Sequence, residues 1–237
     1  MKRKIYLLRI VLVVFITIPI VSCDNDRFLD EPVFQLTTAS SYSTPAQIEL
    51  AINNLHNRMQ FLSFSQYQYQ NYIMTGIGLD GFTSTTNSFI TSNWSMLTPT
   101  EPGYISHWAT YLSQMITYAN NVIEACNNPD VKFLNDQQKN ELLAEGMFFR
   151  AWVHRCLVGM FGDWPIITEV QKAPKLDYVR APRVEVWKQC KTDLTFAAAN
   201  LPKTTAKPGR IVRAAADHLL AEICISLGDH TKDAKYY

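Results

Sequence analysis

The sequence predicts an all-α protein in which paired helices support long irregular loops. Apolar residues recur at intervals of three or four in five segments after residue 43, which is the spacing of a buried helix face. Capping residues begin some of these segments, and glycine or proline follows most of them. The long stretch between the first and second segments has no such period, which is typical of a loop region. With 237 residues, of which 47% are hydrophobic, the chain can bury a sizeable core.

The N-terminus has the layout of a bacterial lipoprotein signal. Four basic residues at 2–9 precede an apolar run at 10–21 that is too short to span a membrane, and Ser22 and Cys23 follow as a cleavage site. We expect residues 1–22 to be a signal peptide and Cys23 to be lipidated. Because stable anchoring takes at least two acyl chains, a fully lipidated cysteine would hold the protein on a membrane. An uncleaved membrane helix and an ordinary secretory signal are the alternatives.

The charge of the chain argues against nucleic-acid binding. The signal contains four of the 22 basic residues and none of the 21 acidic ones, so the chain from Cys23 onward carries a formal charge of −3. Neutralising nucleic-acid phosphates takes a strongly basic surface. We therefore expect no nucleic-acid partner.

A lipidated tether at 23–43 leads into a helical domain, which we place at 44–237. Thr44, Pro45 and Gln47 have the pattern of a capping box with proline at the first helical position. The buried face of this first helix is predicted at Ile48, Ile52, Leu55 and Met59.

Residues 63–104 are predicted to form an irregular region, because Ser, Thr, Asn, Gln, Gly and aromatic residues replace the helical pattern there. Loops of this length inside a domain are usually functional or disordered. Helical spacing then returns in a second helix. Its buried face is predicted at Trp108, Leu112, Met115, Ala119, Val122 and Cys126.

Three further helices follow. Asn135 is predicted to cap the third helix with Gln138 as its return partner, and Gly162 is predicted to end it. Pro202 is expected to end the fourth helix and Gly228 the fifth. The predicted buried residues are Leu143, Met147, Ala151, His154, Val158 and Phe161 in the third helix, Trp187, Cys190, Leu194, Ala197 and Leu201 in the fourth, and Val212, Ala216, Leu219, Ile223 and Leu227 in the fifth.

The last elements resemble tetratricopeptide helix pairs. Residues 221–237 resemble the turn between the two helices of such a unit. Phe161-Gly162-Asp163 is similar to Leu227-Gly228-Asp229. This similarity indicates an earlier helix pair with an insertion at 164–182. The chain ends at Tyr237, a few residues into a further helix, and we expect it to be a truncated part of a longer protein.

Four cysteines beyond Cys23 lie far apart in sequence: Cys126, Cys156, Cys190 and Cys224. An exported chain can form disulfides, and four cysteines allow three pairings. We favour buried free thiols, because each cysteine lies where a helix turns an apolar face inward. Their spacing excludes a zinc ribbon and a redox Cys-x-x-Cys pair.

Motifs for catalysis and cofactor binding are weak. Residues 76–81 match Gly-x-Gly-x-x-Gly, but residues 82–87 lack the helical sequence that would have to hold a pyrophosphate. The five histidines are not at metal-ligand spacing, and we expect His154 to be a hydrogen-bonded core residue. No Gly-x-Ser-x-Gly elbow occurs. We therefore predict no cofactor, no metal and no enzymatic activity.

The irregular region contains a set of residues suited to sugars. Flat rings cover the apolar face of a pyranose, while amides and hydroxyls bind its edge. Our candidate ligand-binding residues are Phe89, Asn93, Trp94 and Tyr104, with Trp94 as the strongest. The alternative is that these rings pack the loop onto the helices.

Several motifs follow one another along the chain. They are the lipobox at Cys23, Phe28-Leu29-Asp30-Glu31-Pro32, Ala119-Asn120-Asn121-Val122-Ile123-Glu124, the segment from Glu145 to Ala151, Phe161-Gly162-Asp163-Trp164-Pro165, and Glu185-Val186-Trp187 with Asp193-Leu194. In this order and spacing they resemble the SusD/RagB family. The resemblance runs from Cys23 to Tyr237. Members are roughly twice as long, so the chain resembles an N-terminal half.

The resemblance implies a surface-exposed lipoprotein of the cell outer membrane. Such a protein binds glycans or other nutrients and delivers them to a TonB-dependent SusC-like transporter, without catalysis. The implied fold has tetratricopeptide-like helix pairs that support loops. The alternatives are a helical-repeat lipoprotein that serves as a protein-interaction scaffold in the envelope, and a surface glycosidase.

Overall fold

Five α-helices make up most of the described part of the chain. The computed structural model describes residues 42–64, 105–173 and 175–237. The helices are α1 at Pro45–Phe64, α2 at Ile105–Cys126, α3 at Asp136–Phe161, α4 at Arg183–Asn200 and α5 at Arg213–Thr231, and a short 3-10 helix follows at Ala234–Tyr236. Within these ranges there is no β-strand, and the all-α prediction is confirmed.

Helix α1 begins with the predicted capping box. The Gln47 backbone N–H lies 3.4 Å from Thr44 Oγ1, and Gln47 Oε1 accepts from the Thr44 N–H at 3.0 Å. Pro45 is the first helical residue. These reciprocal bonds satisfy backbone donors that a helix N-terminus otherwise leaves unpaired.

Helix α3 begins and ends where its caps predict. Asn135 Oδ1 accepts from the Gln138 N–H at 2.9 Å, while Gln138 Oε1 reaches back to the Leu134 N–H at 2.8 Å, one residue before the cap. Gly162 ends the helix with φ +75°, and its N–H donates to the Val158 carbonyl at 3.1 Å. A positive φ favours glycine at this C-terminal position.

The predicted apolar faces are largely buried. All six predicted positions of α2 and all five of α4 are buried, and Ile48, Ile52 and Leu55 of α1 are fully enclosed. Helix α3 differs, because it is also buried on sides where the sequence is polar, including Glu145 and Arg150. It packs against α1, α2 and α4, so it forms the centre of the helical layer.

Neighbouring helices run antiparallel. Gly146 of α3 lies against Val122 of α2, and a Cβ added at Gly146 would come within 2.9 Å of the valine Cγ1. Toward the other end of the pair, Leu157 of α3 shares an apolar cluster with Trp108 of α2. Similar contacts pair α3 with α4 and α4 with α5. Helix pairs of the tetratricopeptide kind are therefore confirmed as the architecture.

The predicted turn at Gly228 is wrong. Helix α5 passes through Gly228, ends at Thr231 and is followed by Lys232 with φ +57°. Gly228 serves close packing instead, because a Cβ there would lie 2.6 Å from Cζ of Tyr237. The likeness between Phe161-Gly162-Asp163 and Leu227-Gly228-Asp229 is thus one of sequence only. Val212, predicted inside this helix, is its N-cap.

The four cysteines are free thiols in the described residues. Cys126 and Cys190 are buried, whereas Cys156 and Cys224 are half-buried. Burial raises the pKa of the Cys126 thiol to about 12 and also raises the pKa of Cys190. A thiol with such a pKa remains protonated and unreactive at neutral pH. These residues therefore act as small apolar side chains of the core.

None of the described helices combines the length and the apolar character needed to cross a bilayer.

Candidate functional site

The residues predicted to bind sugar lie outside the described residues. Phe89, Asn93, Trp94 and Tyr104 all belong to 65–104, and the lipidation candidate Cys23 belongs to 1–41. The structure does describe α1 and α2, the helices that precede and follow residues 65–104 in the chain.

The two junctions of segment 65–104 lie at the same end of the α1–α2 pair. Met59, near the end of α1, packs against the apolar cluster that contains Trp108 near the start of α2. The preceding residue, Arg58, donates to the Tyr118 hydroxyl at 3.1 Å, and its guanidinium carbon lies 5.1 Å from the centroid of the Tyr111 ring. A packed aromatic and cationic cluster therefore joins the two helices next to the predicted sugar-binding segment.

Two indole donors of this region have no acceptor among the described residues. They are the Nε1–H groups of Trp108 and Trp164, and both are buried. Trp164 also packs against the ring of Phe161 with a centroid distance of 5.3 Å. Burying a donor without an acceptor normally costs about 1–3 kcal/mol of folding free energy. The two indole N–H groups could therefore each donate a further hydrogen bond at this end of the fold.

Helices α3 and α4 are joined by residues 162–182, which we call the strap, and its described residues, 162–173 and 175–182, are non-helical. Its base is closed by an antiparallel bridge in which Trp164 and Ala181 exchange two backbone hydrogen bonds of 3.2 Å. Asp163 Oδ1 accepts from the Arg183 N–H at 2.9 Å beside this bridge. The predicted insertion between these helices is thus an ordered loop with a fixed base.

Buried side chains from two helices hold the inner edge of the strap. Asn120 of α2 donates from Nδ2 to the carbonyls of Ile167 and Glu169, at 3.1 and 3.2 Å. Arg150 of α3 donates to the Thr168 carbonyl at 3.0 Å. These bonds satisfy three consecutive backbone carbonyls in a segment without secondary structure of its own.

Arg150 is in turn held by a buried carboxylate. Its Nε and Nη2 donate to the two carboxylate oxygens of Asp193 on α4, both at 2.8 Å, and its Nη1 donates to Asn120 Oδ1 at 3.1 Å. The two charged side chains are only 6% and 2% exposed. Gln189 adds a further hydrogen bond to Asp193 at 3.0 Å. Three helices and the strap therefore meet at one ion pair with well-aligned, bidentate geometry.

His154 completes the inner edge and is the hydrogen-bonded core residue that the sequence predicts. It is fully buried, and its Nε2 accepts from the Ile167 N–H at 3.3 Å. Its Nδ1 lies 2.9 Å from the Arg150 carbonyl, so Nδ1 must bear the proton. Burial, with the nearby Arg150 charge, lowers the pKa of His154 and keeps the ring neutral.

A pocket of about 280 Å³ opens between the two arms of the strap. The first arm is the one that the helices hold, and the second arm contributes the 41% exposed ring of Tyr178. The Lys175 ammonium lies 5.5 Å from the centroid of that ring. The polar and aromatic side chains that line the pocket are those of Thr168, Glu169, Gln171, Lys175, Asp177 and Tyr178.

A second ionic cluster ties the connection between α4 and α5 to the core. Arg210 Nε lies 2.9 Å from one carboxylate oxygen of Glu145 on α3, and His56 Nε2 of α1 lies 3.5 Å from the same carboxylate. The adjacent groove of about 210 Å³ is closed on one side by a Lys207–Glu49 ion pair of 2.6 Å. The two carboxylates are paired with Arg210 and Lys207, so the cluster has a structural role.

Sequence reasoning did not single out the residues that hold the strap. Asn120, Arg150 and Asp193 occur inside the motifs that carry the family resemblance, yet we assigned them no role. The available signal was position, because each polar residue is adjacent to buried apolar ones in a helix. Among the described residues, no three His, Cys, Asp or Glu side chains converge as metal ligands.

Comparison with known proteins places most of the chain in one family. A SusD-like family model, described as starch-binding and associating with the outer membrane, matches residues 28–225. A curated relative, SusD-like protein P2 from Formosa agariphila, is 26% identical over 218 residues, which are 87% of this chain and 41% of that protein.

Solved structures share the fold of the described helices. A SusD superfamily protein from Bacteroides thetaiotaomicron superposes with a TM-score of 0.64 at 19% identity, over 80% of this chain and 44% of that one. A laminarin-binding SusD-like protein gives a TM-score of 0.66 at 23% identity, over 82% and 43%. The chain thus spans about two-fifths of the length of the relatives it matches.

Proposed function

Because this chain belongs to the SusD-like family, we propose that it binds glycans at the outer membrane and delivers them to a transporter. The family match at residues 28–225, which extends from the predicted tether through all but the end of α5, carries the proposal. The antiparallel helix pairs support it, because they are the fold that these relatives share. The proposed role is binding without catalysis.

We place the glycan contacts of this chain at Phe89, Asn93, Trp94 and Tyr104. Trp94 offers the largest ring for the apolar face of a sugar, and the Asn93 amide can donate to and accept from hydroxyls. Tyr104 immediately precedes the first residue of α2. The packed Arg58 and Tyr111 cluster beside that junction is a rigid support for such a site.

The proposed attachment is a lipid on Cys23, with residues 24–43 as a tether. A protein held in this way can act beside a membrane transporter without crossing the membrane itself. The proposed partner is a TonB-dependent SusC-like transporter. Paired helices commonly present protein-binding faces, so the helical layer is the part that we expect to meet it.

Affinity electrophoresis of the full chain tests the glycan assignment. Native gels containing starch, laminarin or no polysaccharide are compared, because the family description and one structural relative name these two ligands. Retardation by at least one neutral polysaccharide is the expected result. Migration unchanged by any polysaccharide, together with binding of a peptide, would contradict a glycan-binding role.

A further inference from the structure

We propose that the pocket between the two arms of the strap is a second glycan-binding site, one that accepts a single residue of a neutral polysaccharide. It contains none of the residues predicted to bind sugar at 65–104 and is lined only by described residues. The proposal takes its ligand class from the proposed function, while its location rests on the structure of the strap.

The size of the pocket fits a small ligand unit. Its volume of about 280 Å³ is slightly below the range of about 300–1,000 Å³ that is usual for small-molecule sites. A pocket of this size and openness accommodates one ring of a chain whose neighbouring rings remain in solvent. It is therefore suited to an internal or terminal sugar of a longer glycan.

The side chains of the pocket match a polyol. Carboxylates at Glu169 and Asp177 accept hydrogen bonds from hydroxyls, and the Lys175 ammonium and the Gln171 amide donate to them. The partly exposed ring of Tyr178 supplies a flat apolar face. A pyranose has hydroxyl groups that can pair with these donors and acceptors and an apolar face that can pack on the ring.

The balance of charge argues against an anionic sugar. A uronic acid or a sulfated sugar would meet the two carboxylates of Glu169 and Asp177, which outnumber the single Lys175 ammonium. Like charges brought together at a recognition site cost affinity. A neutral sugar avoids this penalty and can use the same side chains as hydrogen-bond partners.

The first arm and the base of the pocket are held in place by hydrogen bonds within the protein. Asn120 and Arg150 hold three carbonyls of the first arm, and the Trp164–Ala181 bridge fixes the base of both arms. Arg150 is itself fixed by the buried carboxylate of Asp193. Preorganisation reduces the entropy that binding must overcome, so even a small pocket can contribute to affinity.

Isothermal titration of the full chain in detergent tests this site. The probes are maltoheptaose, laminarihexaose and cellohexaose, three neutral glucans that differ in linkage. Tyr178→Ala is expected to weaken binding of the glucan that the wild-type chain binds by about tenfold, which corresponds to the loss of one well-placed aromatic contact. Tyr178→Phe, which keeps the ring, is expected to retain affinity within about twofold.

The matched control is Leu176→Ala. Leu176 is 97% exposed on the same loop and does not line the pocket, so its removal is expected to leave glucan affinity unchanged. Wild-type affinity in Tyr178→Ala, or an equal loss in Leu176→Ala, would overturn the proposal. Urea unfolding of each variant separates a lost contact from a lost fold.

Trp94→Ala, titrated in parallel, separates this proposal from the proposed function. If Trp94→Ala loses affinity and Tyr178→Ala does not, the strap site is refuted and glycan binding stands. If Tyr178→Ala alone loses affinity, the strap site stands and the predicted site at Trp94 is refuted. If none of the three glucans binds to the wild-type chain, both are contradicted.

Discussion

Arg150 is the residue on which the strap depends most directly. It is buried with its charge paired to Asp193, and it also donates to Asn120 and to the Thr168 carbonyl. Burying an ion pair is not by itself stabilising, because both charges lose their hydration. The role of this ion pair is better explained by geometry. Asp193 orients the Arg150 guanidinium, which donates to the strap and holds it against three helices.

We predict that Asp193→Asn strongly destabilises the protein. The substitution leaves the Arg150 guanidinium buried without a counter-charge, and breaking a buried pair in this way costs about 3–5 kcal/mol. The free energy of unfolding in urea measures the effect. Asp217→Asn removes one partner of an exposed pair with Arg213 and is expected to change that free energy by less than about 0.5 kcal/mol. Equal effects of the two substitutions would contradict the role assigned to Asp193.

We predict that His154 makes the fold sensitive to acid. Burial holds its pKa in the folded state below the usual value of about 6.5, which the unfolded chain retains. As the pH falls below about 6.5, the unfolded state therefore takes up a proton that the folded state excludes, and stability is lost. Urea midpoints at pH 7.5 and pH 5.5 should differ more in the wild-type chain than in His154→Gln. His218→Gln, at an exposed position of α5, is the control for removal of a histidine outside the core.

Among the helices, two glycines in similar sequence contexts have different structural roles. Gly162 adopts φ +75° at the end of α3, whereas Gly228 lies inside α5 under the ring of Tyr237. Glycine suits position 162 because the backbone has a positive φ there. It suits position 228 because a side chain would meet the Tyr237 ring. Similarity between two three-residue segments is therefore insufficient to predict the position of a turn.

We predict that Gly162→Ala destabilises the protein by about 1–2 kcal/mol, because an L-residue with a Cβ is strained at positive φ. Gly228→Ala is expected to cost less, since alanine favours a helix interior and the obstructing ring belongs to a flexible side chain. Thermal unfolding of the two variants compares these costs. A larger loss for Gly228→Ala would contradict the assignment of the turn to Gly162.

Helices α1 to α4 were predictable from the sequence because their determinants are local. The capping box at Thr44 and the cap at Asn135 form bonds within four residues along the chain, and glycine or proline follows the ends of α3 and α4. The strap was not predictable in the same way. Its bonds to Arg150 and Asn120 join residues 18 to 49 positions apart and end on backbone carbonyls, which have no sequence signature.

The central position of α3 was also beyond sequence reasoning. Its single predicted apolar face explained burial of residues such as Ala151 and Val158, but not of Glu145 and Arg150. Glu145 can be buried because Arg210 of the α4–α5 connection pairs with it. Arg150 can be buried because Asp193 of α4 pairs with it. Only the folded arrangement shows which charges meet.

The whole molecule combines a described helical layer with segments whose roles are predicted from sequence. The described helices are the fold of the family, and the match at 28–225 assigns the chain to it. The sugar-binding residues at 65–104 and the lipid on Cys23 remain predictions from sequence. The chain spans about two-fifths of the length of these relatives.

We predict that Cys23→Ser releases the protein from the membrane. Without the thiol no lipid can be attached, and the tether alone contributes no comparable membrane affinity. Fractionation of cells expressing each form measures the distribution. Wild-type chain is expected in the outer-membrane fraction and Cys23→Ser outside it. Equal retention of both forms would contradict anchoring through this residue.

The most direct test of the central claim is titration of neutral glucans against the full chain and its Trp94→Ala variant. We predict saturable binding of at least one glucan, weakened about tenfold by Trp94→Ala through loss of the ring that covers the sugar. Leu134→Ala, at an 84% exposed position between α2 and α3, should bind as the wild-type chain does. Undetectable binding of every glucan, or wild-type affinity in Trp94→Ala, would contradict the proposed site, and the first of these would also contradict the proposed function.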